Sequence, residues 1–292
     1  MARRSRVHHA PGMTVLAIAR PRRTSAPLAV VAAVAFVVIA IAGALVLTGR
    51  WSVAGGCGPL EGALCERVLF IGNSYTDVND LPHVFAELAA SGGQHVGTGK
   101  VAPGGEELSG HVNLPETQTA LAAKGWDVVV LQEQSQVPAI AAARIQRMEP
   151  AARTLVGKIR AIGARPILFE TWGHRDGSPE DGLPDFATME AALEQGYDQV
   201  ANDVGAQVAP VGDAWRSVRL VAPQLDLWQA DGSHPTMAGT YLAACVMYAT
   251  IFGRSPVGLG YDAGLGADTA HLLQTIAAQA VPGAVGGSAA PH

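Results

Sequence analysis

Two short segments, far apart in the chain, carry residue types that together can do nucleophilic chemistry. Ser74 lies in Gly72-Asn73-Ser74-Tyr75, directly after the apolar run Val68-Leu69-Phe70-Ile71. Asp231 and His234 lie in Asp231-Gly232-Ser233-His234-Pro235, just before a long apolar segment. A serine hydroxyl is a poor nucleophile until a base takes its proton, and imidazole is the base best matched to neutral pH. An acid must then fix the imidazole tautomer and steady the imidazolium. An aspartate three residues before the histidine can do so from the same loop. Each segment alone has an ordinary reading, a serine N-cap or a polar turn. Serine early and Asp-x-x-His late together predict acyl transfer, with Ser74 as nucleophile, His234 as base and Asp231 as orienting acid.

These residues need a frame, and the pattern around them supplies one. Val68 to Ile71 is a short apolar run ended by Gly72, the look of a strand buried on both faces. Further strands are predicted at His95 to Val101, Asp127 to Gln132, Arg165 to Glu170 and Ala206 to Val211. Helices are predicted at Leu81 to Ala90, Pro115 to Lys124, Ala141 to Ile162, Asp185 to Val204 and Pro235 to Phe252. Strand and helix in alternation imply a parallel sheet with both faces covered. The fold expected is an α/β, three-layer α/β/α sandwich with a flavodoxin-like, doubly wound, mainly parallel five-stranded sheet. Ligands bind such sheets beyond the carboxyl ends of the strands, and Ser74 falls at one.

The amino-terminal part is different in kind. Hydrophobic residues make up 49% of the chain and charged ones 15%, and the apolar excess is local. The 26 residues between Arg23 and Arg50 carry no charge, and a spanning helix needs about 20 apolar residues. Six arginines precede this stretch and only Arg50 follows it closely, so the positive-inside bias predicts a cytoplasmic amino terminus and an extracytoplasmic remainder. A cleaved signal peptide is the competing reading, with a shorter apolar region of about 7–15 residues. The organisation expected is a basic tail (1–26), one transmembrane signal-anchor helix (27–48), a linker (49–65), a catalytic domain (66–281) and a flexible tail (282–292). The first 60 residues hold seven arginines and no acid, leaving 13 basic against 25 acidic residues, a net of −12, in the rest. So acidic a domain argues against nucleic acid as partner, because phosphate contacts need clustered Lys and Arg. Cys57 and Cys65 could pair as a disulfide outside the membrane. Cys245 reads as a small buried hydrophobe. No cysteine or histidine cluster has metal-ligand spacing.

At this point the sequence resembles a known family. VLFIGNSYT and DGSHPTMAGTYLAACVMY look like the first and last blocks of the SGNH/GDSL hydrolase superfamily. VAPGGEELSGH resembles its glycine block, and DVVVLQEQS stands in the place of its third block. The resemblance covers roughly residues 67–256. It implies the triad Ser74, His234 and Asp231, with an oxyanion hole from the N–H of Ser74, the N–H of Gly105 and a side-chain amide of the third block. Gly104 is the alternative to Gly105. The usual first-block aspartate is Asn73 here, and the expected third-block asparagine is missing. Gln132 is expected to supply its amide, with Gln134 and Gln136 as alternatives.

Other polar positions are secondary. Asn73, Thr171 and Trp172 are candidates for the substrate pocket, and a packed aromatic is an equal reading of Trp172. His174 and Asp213 are weaker candidates for substrate contact, and Gly173 to Pro184 could form a lid. The function expected is an extracytoplasmic serine esterase acting on an acyl ester, O-acetyl included, through an acyl-enzyme and without metal or cofactor. The substrate partner is a small, glycan or lipid ester, and the N-terminal helix provides the membrane contact. Transfer of the acyl group to a sugar hydroxyl differs only in the acceptor. A catalytically inactive, membrane-tethered binding protein on the same fold is the reading from another class; it would hold if His234 could not reach Ser74. A nucleotide-binding fold is disfavoured, since no GxGxxG follows the first strand.

Overall fold

Side chains along a strand point alternately to opposite faces, and here both sets are apolar. Val68 and Phe70, Val128 and Val130, and Ile167 and Phe169 enter one core; Leu69 and Ile71, Val129 and Leu131, and Leu168 enter the other. Burial of such a side chain is worth about 1.5–3 kcal/mol, so neither face of the sheet can be left to water. The computed structural model, which describes Cys57 and residues 65–123, 125–281 and 283–284, covers both faces with helices.

The five strands are β1 (Cys65–Ile71), β2 (His95–Val101), β3 (Val128–Leu131), β4 (Arg165–Glu170) and β5 (Gln207–Pro210). They form one sheet in the order β2-β1-β3-β4-β5, with every pairing parallel. This is the flavodoxin-like order, wholly parallel rather than mainly so. The register aligns Ile71 with Val101 on one side and Leu131 on the other. The carboxyl ends of β1 and β3 therefore lie side by side where the winding reverses, which opens a crevice.

The helices are α1 (Ser74–Asp77), α2 (Leu81–Ser91), α3 (Leu108–His111), α4 (Pro115–Ala122), α5 (Glu149–Ala161), α6 (Phe186–Val204), α7 (Val211–Val221), α8 (Met237–Phe252) and α9 (Ala267–Ala280). Helices α2, α7, α8 and α9 pack on the first face, and α4, α5 and α6 on the second. In α8, Ala238 through Ile251 are all buried, which explains why its apolar residues show no stripe. The long helix expected from Ala141 is entered through a π-turn, Arg144–Met148. Four helices were not expected: the single turns α1 and α3, and the longer α7 and α9. α9 follows the last recognised block, and α7 begins where β5 was expected to end.

Cys57 and Cys65 are joined by a disulfide, and Cys245 is free and buried. The basic tail, the anchor helix, most of the linker and most of the terminal tail lie outside the described residues. Among the described residues, no helix is long and apolar enough to cross a membrane.

Candidate active site

β1 runs out at Ile71, and the next three residues turn the chain into α1. Asn73 is the N-cap: its side chain accepts the N–H of Tyr75, leaving Ser74 as the first helical residue. Asn73 is 3% exposed. Its Nδ2 donates to the carbonyl of Glu106, and its Oδ1 accepts from Gln132 Nε2 at 2.9 Å. Expected in the substrate pocket, Asn73 instead ties the Ser74 turn to the glycine block and to the end of β3.

The second loop carries the imidazole. Asp231 Oδ1 accepts the N–H groups of Ser233 (2.9 Å) and His234 (3.0 Å). Asp231 Oδ2 lies 2.6 Å from His234 Nδ1. One carboxylate thus shapes the turn and orients the ring. Desolvation works against the Asp231 charge, but the Ser233 N–H and the His234 ring and N–H outweigh it and hold the carboxyl below its ordinary value. His234 Nε2 meets Ser74 Oγ at 2.9 Å, across 160 positions of sequence. Hydroxyl, imidazole and carboxylate form one hydrogen-bonded line at the carboxyl edge of the sheet.

Several residues with no such role expected from the sequence hold these loops. The Tyr75 hydroxyl is 2.6 Å from Ser233 Oγ, and burial pushes its pKa up to about 12. Trp172 Nε1 donates to Ser233 O at 3.0 Å. Asn79, in the left-handed region at φ 58°, donates to Pro235 O and Thr240 Oγ1. The Arg175 N–H donates to Gly232 O at 2.8 Å. Tyr75, Trp172 and Trp215 stack in series at 4.6 and 4.0 Å. Thr171 and Trp172 are both fully buried, so Trp172 is packed support for the His234 loop rather than pocket lining, and Thr171 does not reach the surface.

The amide expected from Gln132 is used elsewhere. Gln132 is fully buried, and its two N–H groups go to Asn73 Oδ1 and Glu133 O, while its Oε1 accepts from Asn73 N and Thr76 Oγ1. The physical reason is Gly72. A Cβ there would lie 2.5 Å from Gln132 Oε1, so the glycine leaves room for the glutamine side chain to fold under the nucleophile turn. Gln136 is also engaged, donating to Ser178 Oγ and Asp181 Oδ2, which pins the Gly173 to Pro184 loop to the third block. That loop is further closed by the Ser178–Leu183 bridge, so it is a braced turn and not a free lid.

Gln134 differs from both. Its Oε1 is held by the N–H groups of Gln136 (2.9 Å) and Val137 (3.3 Å), whereas its Nε2 makes only two 3.3 Å contacts, to Ser135 Oγ and Gln136 Oε1. Ser135 Oγ is 3.1 Å from His174 Nε2, which brings His174 beside the His234 loop. Burial keeps the His174 ring below its usual pKa, hence neutral. Gly105 is exposed at φ 71° with open space where a side chain would start, and Gly104 is equally open. Among the described residues, no hydrogen bond within the chain occupies the N–H of Ser74 or Gly105.

Below the site lie buried acids. Glu133 Oε1 accepts the N–H groups of Leu108 and Gln134, joining the glycine block to the third block, and burial raises its pKa to about 7. Glu190 Oε2 accepts the Gly173 N–H at 2.6 Å, and burial raises Glu190 to about 8. Glu170 is pushed well above its ordinary value, again by burial first and then by neighbouring carboxylates. Asp213 pairs with Arg216 and gives its N–H to Glu170, so it belongs to this cluster and not to the surroundings of Ser74, His234 and Asp231. Among the described residues, no group of three His, Cys, Asp or Glu side chains could hold a metal ion.

No family profile matches the chain, and no curated protein matches it. Solved structures do. A protein from Slackia heliotrinireducens assigned to the SGNH hydrolases is 32% identical, with 64% of this chain and 99% of that one covered and a TM-score of 0.56. A DUF4886 family protein from Bacteroides uniformis is 22% identical, covering 75% and 96%, with a TM-score of 0.65. An acetylxylan esterase from Geobacillus stearothermophilus is 19% identical, covering 64% and 94%, with a TM-score of 0.50. At these lower identities the last two speak for the fold alone.

Proposed function

Because the chain belongs to the SGNH/GDSL hydrolase superfamily, we propose that it is a serine esterase whose triad is Ser74, His234 and Asp231. The observation that carries this reading is the line from Ser74 Oγ through His234 to Asp231 Oδ2, at 2.9 and 2.6 Å. The same line argues against the inactive binding protein, which required the imidazole to be out of reach.

Ser74 Oγ attacks the ester carbonyl carbon while its proton passes to His234 Nε2. Asp231 keeps the ring turned with Nδ1–H toward the carboxylate and steadies the imidazolium. The tetrahedral oxygen is received by the N–H groups of Ser74 and Gly105. We assign the third donor to Gln134, because its carbonyl is anchored on two backbone N–H groups and its Nε2 is the loosest amide of the third block. Each such donor is worth about 2.7–4 kcal/mol in the transition state. His234 returns the proton to the leaving alkoxide, which departs as alcohol. Water, activated by the same imidazole, then attacks the acyl-enzyme and releases the carboxylic acid and Ser74.

An O-acetyl ester of a glycan is the substrate class we favour. The extracytoplasmic location is supported by the arginine asymmetry around residues 24–49 and by the Cys57–Cys65 disulfide, which persists in oxidising compartments. The test is hydrolysis of p-nitrophenyl acetate by the full chain beside Ser74→Ala. We expect turnover from the first and a loss of at least 10³-fold in the second; equal rates would remove Ser74 from the chemistry.

A further inference from the structure

Two of the three arms of the oxyanion hole stand on irregular backbone. Residues 102–107 of the glycine block and residues 132–140 after β3 run outside helix and strand, so no ladder fixes their separation. Hydrogen-bonded links set it instead. Asn73 Nδ2 holds the glycine block to the Ser74 turn at Glu106 O, and Asn73 Oδ1 holds the end of β3 to that turn at Gln132 Nε2. Glu133 closes the remaining side of the triangle: its Oε1 accepts the Gln134 N–H at 2.7 Å and the Leu108 N–H at 3.0 Å. Among the described residues, this is the one hydrogen-bonded link between the glycine block and the third block. The block's other contacts go elsewhere. His111 Nε2 bonds Gly72 O on the Ser74 side, and Glu107 pairs with Arg147 in the π-turn. Glu133 is fully buried, and its Oε2 has no hydrogen-bond partner among the described residues. Burial favours the protonated carboxyl. Since Oε1 is committed to two donors, the proton resides on Oε2, and Oε1 is an acceptor in both states. The link requires an oxygen at that point, not a charge.

We infer that Glu133 is a positioning residue of the oxyanion hole: one buried carboxyl oxygen sets the separation of the Gly105 N–H from the Gln134 amide. The inference rests on the esterase reading and deepens it. Leu108 lies three residues after Gly105, and Gln134 follows Glu133 directly, so a shift of the link moves both donors. Gly105 has open space behind it, and nothing there resists such a shift. Donors act only where they meet the tetrahedral oxygen, and a misplacement of about 1 Å costs about 10²-fold in rate.

The test is a series at position 133 of the full chain with p-nitrophenyl acetate as substrate: Glu133→Gln, Glu133→Asp and Glu133→Ala. Glutamine puts a carbonyl oxygen where Oε1 stands and carries no charge. Aspartate keeps the carboxyl and draws its oxygens back by one methylene. We expect kcat within about threefold of wild type in Glu133→Gln, and lower by at least about tenfold in Glu133→Asp and Glu133→Ala, with KM little changed throughout. The reverse order, aspartate active and glutamine not, would show a role for charge and overturn the inference, as would equal kcat across the series. Titrating active sites with a fluorophosphonate takes unfolded enzyme out of kcat, and the Gln and Asp pair decides the matter even where Glu133→Ala does not fold. A double-mutant cycle tests the route. Gln134→Ala should cost about 10²–10³-fold in the wild type and clearly less in Glu133→Asp, where the amide is already displaced. Equal costs would detach Glu133 from that donor and overturn the inference. Ser74→Ala run alongside separates the two readings. Wild-type turnover in that variant removes the esterase reading and the inference with it; an inactive Ser74→Ala beside a flat series strikes Glu133 alone.

Discussion

The hydroxyl of Tyr75 and the hydroxyl of Ser233 stand 2.6 Å apart, so the residue after the nucleophile is bonded to the residue before the imidazole. The two halves of the triad are thereby joined a second time, behind the reacting atoms. Tyr75 also lies edge-on to the His234 ring at 5.5 Å and flat on Trp172. Tyr75→Phe keeps both ring contacts and removes only the hydrogen bond, a net loss of about 0.5–1.5 kcal/mol. We expect a melting point lowered by a few degrees and kcat lowered severalfold at unchanged KM. An unchanged kcat would show that the Ser74–His234 distance does not depend on this link.

Asp231 does two jobs with two oxygens, and a single substitution separates them. Asp231→Asn can still accept the Ser233 and His234 N–H groups through its carbonyl. Its amide then faces His234 Nδ1 as a donor and favours the wrong tautomer. The loop should keep its shape while kcat falls about 10²–10⁴-fold, with melting nearly unchanged. Since Asp231 is ionised below its ordinary range, its contribution is present at neutral pH and is lost as acid titrates it. A wild-type level of turnover in Asp231→Asn would remove the carboxylate from the mechanism.

Glu170 Oε1 and Glu190 Oε1 converge on the point where a side chain of Gly212 would begin, at 2.7 and 2.2 Å from it. Both residues are almost wholly buried, and two such carboxylates cannot both ionise at so short a separation. The sign follows from Glu190. Its carboxyl ionises at about 8 in the fold against an ordinary 4.5 when unfolded, so the folded state holds the extra proton. The contribution of Glu190 to stability is therefore full below about pH 4.5 and is lost progressively as the pH rises toward and through 8. Glu190→Gln removes that titration and can still accept the Gly173 N–H. Melting points measured from pH 5 to 9 should fall in the wild type and fall less steeply in the variant, where Glu133 and Glu170 still titrate; identical slopes would refute the contribution of Glu190.

How much of this was legible in the sequence depends on whether the signal was local. The five strands were, because a parallel strand buried on both faces is apolar throughout, and Val68 to Ile71 and Val128 to Leu131 are. So was the meeting of Ser74 with His234, since both follow recognisable blocks at strand and loop ends. Helix α9 carried a helical spacing (Ala270, Leu273, Ile276, Ala277) that lay outside every block and went unread. Tyr75, Asn79, Arg175 and Glu190 could not be read at all. Their roles are contacts across 17 to 161 positions, and nothing in their own neighbourhoods marks them. Thr171 and Trp172 were misread for the opposite reason. A polar-aromatic pair at a strand end looks like pocket lining until the stack with Tyr75 and Trp215 shows which way the ring turns.

Gln132 and Gln134 separate a brace from an oxyanion donor by their kinetics. Gln132 makes four hydrogen bonds under the nucleophile turn, all of them buried. Removing it in Gln132→Ala leaves Asn73 and Thr76 unsatisfied and opens a void beside Gly72, at a cost of about 2–5 kcal/mol. The loss should appear as a lowered melting point. Gln134→Ala, by contrast, leaves one part-buried N–H, that of Gln136, without its partner, because the Val137 N–H keeps the Gln134 carbonyl, so stability should change by only about 1 kcal/mol. Its kcat on p-nitrophenyl acetate should drop about 10²–10³-fold with KM little altered, the mark of an interaction made only with the tetrahedral oxygen. Were Gln134→Ala to turn over like the wild type, the hole would have two backbone arms and no side-chain donor.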